Sequence, residues 1–161
     1  MATIIVEDGS IVTGANSYNS EAELTTYAAD RGITLTGTPA VLLIQSMDYT
    51  ETRDFKGTKS TEAQGLQWPR HGVTIDGYYV DSNEIPKELK SAQLATCVSI
   101  DAGFDPLSTV DRATKREKLD SLEIEYQENA SSAAMIRSVS IAFAKLVNGT
   151  MGGLFARNKR A

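Results

Sequence analysis

The chain has 161 residues, 41% of them hydrophobic and 23% charged, which suits one ordinary domain with a real core and argues against two good domains or wholesale disorder. No apolar run approaches the roughly 20 residues of a membrane span, and the start, MATIIVEDGS, lacks the basic lead-in and apolar length of a secretory signal. The single Cys97 excludes an internal disulfide and a multi-cysteine metal site, so the expectation is a protein of the cytoplasm or of a particle assembled there.

Residues 3–6, TIIV, read as a short strand or an extended arm, followed by the turn formers of DGSIVTGANSYNS. Ser20 opens a first helix, because Glu23 stands three residues on and completes a capping box. Ala22, Leu24, Tyr27 and Ala28 give it an apolar side, and Gly32 is a natural stop. Thr38-Pro39 starts a second helix, with Thr as cap and Pro at the first helical position. Leu42, Leu43 and Met47 fall at helical spacing, and the helix is expected to reach about Asp54. A polar connection leads to LQWPRHGVTIDGYYV, where Val73 and Ile75 alternate with polar neighbours and Asp76-Gly77 marks a turn. Short irregular strands or a structured loop are expected there.

Pro86 opens a third helix through Leu89, Ala92 and Thr96, ended by Gly103. TKREKLDSLEIEYQ then reads as a hairpin turning at Asp120-Ser121. That register sets Arg116 opposite Glu125, Lys118 opposite Glu123 and Leu119 opposite Leu122, two pairs of opposite charge on one face. A last helix is expected over about Ser132 to Val147, with Ile136, Val139, Phe143 and Leu146 along one stripe. Beyond it the tail TMGGLFARNKRA carries Gly152, Gly153, the apolar pair Leu154 and Phe155, and Arg157, Lys159 and Arg160. The fold class is α+β, mainly α: a bundle of about four helices with a β-hairpin near 112–126, one domain over 1–147, and an extended basic arm over 148–161.

Charge is unevenly placed. Through Glu128 there are 11 Lys and Arg against 21 Asp and Glu, whereas five bases and no acid follow. A basic end on an acidic body suits an anionic surface of protein or nucleic acid, or is merely solvated. No catalytic signature is present: there is no phosphate-binding loop, no HExxH and no GxSxG. His71 is the only imidazole, and a lone His after Pro-Arg reads as a surface or turn residue. Glu123 and Glu125 lack a third ligand and are better explained by Arg116 and Lys118. The expectation is therefore no catalytic residue, no metal and no cofactor. Trp68, Arg70, His71, Tyr78 and Tyr79 hold some of what single-stranded nucleic acid requires, but Asp76, Asp81 and Glu84 sit among them. Trp68-Pro69 reads instead as a rigid corner whose indole packs inward.

The run Phe55-Lys56-Gly57, Gln67-Trp68-Pro69-Arg70, Gly72-Val73, Asp76-Gly77 and Ile85-Pro86, then Lys90-Ser91-Ala92-Gln93, resembles a family of tailed-phage and prophage proteins. VEDGSIVTGANSYNSEAE and KREKLDSLEIEY extend the resemblance to about Tyr126. Such sequences carry two labels, head–tail connector (adaptor) and DnaT-like single-stranded DNA-binding protein. The connector label implies a virion protein assembled in the host cytoplasm, forming a homo-oligomeric ring, usually a dodecamer, between the portal and a neck, stopper or tail protein. It implies that genomic DNA passes through without specific binding, that no membrane is involved, and that the C-terminal arm (Gly152, Gly153, Leu154, Phe155, Arg157, Lys159, Arg160) reaches the portal. Trp68, Pro69, Arg70, Arg116, Lys118, Glu123 and Glu125 would then be structural-corner or subunit-interface residues. The alternative label implies a DNA-binding role in phage replication.

Overall fold

A computed structural model describes residues 2–105 and 139–148, and the backbone alone of 116–119, 122–125 and 137–138. Helix α1, Glu21–Ala29, starts as its sequence dictates: the Ser20 side chain accepts from the Glu23 N–H while the Glu23 carboxylate accepts from the Ser20 N–H. Helix α2 spans Pro39–Thr50. Thr38 is its N-cap in backbone position only, with no side-chain hydrogen bond, which departs from the expected cap. The helix also stops short of Asp54. Glu51 turns its carboxylate away to Tyr18 and Gln67, and the Asp54 carbonyl is taken by the N–H of Asn148 instead of by a further helical turn.

Two short antiparallel pairs follow: three of their strands lie where short irregular strands or a structured loop were expected, and the first lies in the stretch expected to be only a polar connection. Strand β1, Thr58–Lys59, pairs with β2, Arg70–His71, and β3, Thr74–Ile75, pairs with β4, Tyr78–Tyr79. Asp76 and Gly77 make the β3–β4 turn with φ of 52° and 89°, the two positive values that a tight hairpin turn requires. Helix α3 is Lys87–Asp101, with Gly103 past its end at φ 94°. Strands β5, Arg116–Leu119, and β6, Leu122–Glu125, pair in the register read from the sequence: Arg116 opposite Glu125, Lys118 opposite Glu123, Leu119 opposite Leu122. Helix α4, Arg137–Phe143, is followed by a turn through Leu146. Of the stripe expected for it, Val139, Phe143 and Leu146 are buried, and Ile136 lies outside the described residues.

Helix α3 is the hub, packing against α1, α2 and α4. Its two sides serve two apolar clusters. One gathers Leu24, Leu42, Leu43, Leu94 and Cys97 beneath α1 and α2. The larger one gathers Tyr18, Phe55, Trp68, Val73, Leu89, Val139, Phe143 and Leu146 beneath the loops and α4. Between them, Gln93 is fully buried: its Oε1 accepts from the Tyr18 N–H and Asn19 Nδ2, and its Nε2 donates to Ser17 Oγ. Burial of that amide is tolerable because its polar atoms are used. At the α3 end, the Asp101 carboxylate accepts from the N–H groups of Thr36 and Gly37 and holds the α1–α2 connection; those bonds keep its pKa below the usual value.

At Gly57 the backbone approaches β2 closely. At φ +72°, a Cβ there would collide with the His71 carbonyl and lie 2.8 Å from Val73 Cγ2. Gly57→Ala is expected to destabilise by about 2 kcal/mol or more through strain and overpacking, lowering Tm by roughly 4–8 °C. Gly65→Ala, with nothing within 4 Å of the added carbon, should stay within about 0.5 kcal/mol of the parent. Thermal unfolding of both variants checks the difference.

Candidate functional site

The Trp-Pro-Arg corner carries a dense set of hydrogen bonds outside the helices. Trp68 is 0% exposed, its ring meeting Phe55 edge-on at 5.9 Å between centroids. The Trp68–Pro69 peptide is cis. The Tyr18 hydroxyl accepts from the Trp68 N–H at 3.2 Å and donates to Glu51 Oε1 at 2.7 Å. Glu51 Oε2 accepts from the Gln67 N–H at 2.8 Å. Arg70, buried behind them, donates Nε to the Lys56 carbonyl at 2.7 Å, Nη2 to the Gly57 carbonyl at 2.7 Å, and Nη1 to Gln67 Oε1 at 2.8 Å. The guanidinium thus binds backbone oxygens of its own chain with its rigid fork. Burial draws its pKa down. Burial likewise raises the Glu51 carboxyl pKa, against the opposing effect of the bonds from Tyr18 and Gln67, and raises the Tyr18 phenol well above its usual value.

The indole faces the core rather than solvent, so it cannot stack a base without unfolding the corner. Trp68, Pro69 and Arg70 come together as expected, while His71 stands exposed on β2. No cluster of three or more His, Cys, Asp or Glu able to hold a metal occurs among the described residues. None of the described helices is long and apolar enough to cross a membrane. The arm residues Gly152, Gly153, Leu154, Phe155, Arg157, Lys159 and Arg160 lie outside the described residues. Arg116, Lys118, Glu123 and Glu125 are placed by backbone register alone, opposite one another in pairs.

Two surfaces remain. A groove of about 640 Å³ between α2 and the end of α3 is lined by Asp48, Asp101 and Asp105 beside Leu42, Ile100 and Phe104, with no base in its wall. Its charge repels phosphate. Opposite in character is the β3–β4 hairpin, which holds Tyr78 80% and Tyr79 63% exposed. Its base is anchored by buried Val73, Ile75 and Val80, and its turn by a Lys145–Asp76 ion pair to the end of α4. The sequence indicates an inward Trp68 but assigns no side to these tyrosines ten residues on. The Asp76-Gly77 turn was the available signal, because side chains flanking a tight turn leave the core. Nor was Glu51 singled out; a lone Glu at a helix end carries no sign of its burial.

Glu51 gives a pH signature of known sign. Its folded pKa lies above its unfolded one, so the native state binds the extra proton between the two. The parent should therefore lose stability relative to Glu51→Gln as pH rises from about 4.5 through the folded value. Urea unfolding at a series of pH values reads this directly, and a pH-independent difference between the two proteins would contradict it. Arg70→Lys, which cannot reproduce the fork, should cost about 3 kcal/mol. Trp68→Ala should cost about 3–5 kcal/mol, so a binding defect in that variant would report unfolding.

A family model described as "Putative DnaT-like ssDNA binding protein" matches residues 2–161. No curated protein matches the chain, and no solved structure does. The matched span runs through the whole described fold and past it, and on that basis the chain belongs to this DnaT-like family.

Proposed function

We propose that this chain is a structural, non-enzymatic component of a tailed-phage particle: a head–tail connector that forms a ring between the portal and a neck or tail protein. The observation that carries this reading is how the body spends its aromatic and basic groups. Trp68 is inside, and Arg70 is bound to backbone carbonyls. Residues 2–105 hold seven Lys and Arg against fifteen Asp and Glu. Such a body suits contacts between proteins, and would let DNA slide past an acidic wall with little adhesion. In this reading the basic arm over 149–161 seats Leu154 and Phe155 on the portal, with Arg157, Lys159 and Arg160 around them.

A second reading is binding of single-stranded DNA. The family description speaks for it, and speaks for it better than for the connector, which none of the comparisons supports. The exposed Tyr78 and Tyr79 and the five bases after Glu128 are the groups that would serve it.

Two measurements separate the readings. Mass spectrometry of purified particles, counting this chain against the portal, should give a fixed ratio near one to one for a connector; absence from particles with abundance in infected cells would discard the connector. Removal of 149–161 should leave a folded protein that no longer sits on portal rings. For the second reading, single-stranded DNA affinity should fall with salt at a log–log slope of about −3.5 if all five terminal bases engage, and should drop in Tyr78→Ser with Tyr79→Ser. Weak binding without that salt dependence discards it.

A further inference from the structure

We infer that the acidic groove between α2 and the end of α3 is the docking site of this chain's own C-terminal segment, residues 154–160, bound within the same molecule. The groove has a volume of about 640 Å³; Leu42, Ile100 and Phe104 form its apolar part, and Asp48, Asp101 and Asp105 its charged part. Among the described residues no Lys, Arg or His lines it. Asp48 stands exposed on α2, and Gln45, nearly one turn before it, lines the same wall. Asp101 is held by the N–H groups of Thr36 and Gly37, which favour its charged form. An occupant that satisfies such a recess must bring apolar side chains and positive charge together.

Charge picks that occupant from the chain itself. Two long stretches lie outside the residues whose side chains are described, 106–136 and 149–161. The first holds four Lys and Arg against six Asp and Glu, so it is itself acidic. The second holds Arg157, Lys159 and Arg160 and no acid, directly after Leu154 and Phe155. The point of departure also suits it. Asn148 is tied to the end of α2, its N–H to the Asp54 carbonyl at 2.7 Å and its Nδ2 to the Phe55 carbonyl at 3.0 Å. Asp48 stands within about 16 Å of Asp54, since three residues of helix and three of extended chain span no more. Leu154 can reach about 20 Å from Asn148, and Arg157 about 30 Å. A tether of this length gives the segment an effective concentration of about millimolar, which a basic segment of another molecule must exceed to replace it. Nucleic acid is repelled by the groove. Docking withholds the three bases and the apolar pair from other surfaces until a partner displaces them. The inference depends on neither reading of function; each of them names a different displacing partner, the portal or single-stranded DNA.

The test is zero-length carbodiimide cross-linking of the full chain, read by mass spectrometry on an equal mixture of light and isotopically heavy protein. Lys159 should join Asp48 or Asp105, and only within light or within heavy chains. Trypsin should cut after Arg157 about tenfold more slowly in the full chain than in a free peptide of residues 149–161, and added salt should remove the protection by screening the ion pairs. Asp48→Lys should speed the cut by about threefold or more. Asp48→Lys with Lys159→Glu, set against its own peptide, should recover the protection, as a merely structural loss would not. Asp81→Lys, an exposed acid outside the groove, should leave the rate unchanged, with circular dichroism showing all variants folded. Links between light and heavy chains, Lys159 joined only to acids outside the groove, groove acids joined to Lys115 or Lys118 instead, or a full chain cut as fast as the peptide each overturn the inference.

Discussion

The structure depends on how the irregular segment 54–57 is satisfied. These residues belong to no helix and barely to a strand, yet Phe55 is buried in the core and Gly57 lies against β2. Backbone that enters the core at Phe55 must find partners. On one side it finds them in the chain after α4: Lys56 donates its N–H to the Leu146 carbonyl, and Asn148 donates to the Asp54 carbonyl. On the other side Arg70 supplies its fork to the carbonyls of Lys56 and Gly57. A single seam thereby links the end of α2, the Trp-Pro-Arg corner and the end of α4. Removing the guanidinium would leave buried oxygens unpaired, which costs more than the bonds themselves contribute.

The seam also explains why the corner is silent chemically. Trp68, Arg70, Tyr18 and Glu51 look reactive as a collection of residue types, but each has its polar capacity turned inward, apart from an indole N–H that finds no acceptor among the described residues. Tyr18 and Glu51 face each other and the backbone of 67–68. The shifted titration of Glu51 follows from burial within a structural knot.

Function is thereby left to the surface, where the molecule is two-sided. One groove, between α2 and α3, carries aspartates, and the β3–β4 hairpin holds two tyrosines in solvent. The family to which the chain belongs bears the name of a nucleic-acid binder. The basic end of the sequence is where that name would have to find its physical basis, since the described body is acidic.

Much was legible in the sequence because it was local. The Ser20–Glu23 capping box, Pro39 at a helix start, the Asp76-Gly77 turn, the glycine after α3 and the β5–β6 register each follow from a few adjacent residues whose backbone preferences agree. What the sequence could not determine was non-local. The premature end of α2, the burial of Gln93 and Arg70, the partial burial of Glu51 and the exposure of Tyr78 and Tyr79 depend on partners tens of residues away. Tyr18 meets Trp68 across 50 positions, and Asn148 meets Phe55 across 93. A one-dimensional pattern gives an aromatic residue no side to face. The sequence already indicated an inward Trp68, but only tertiary packing left the two tyrosines in solvent.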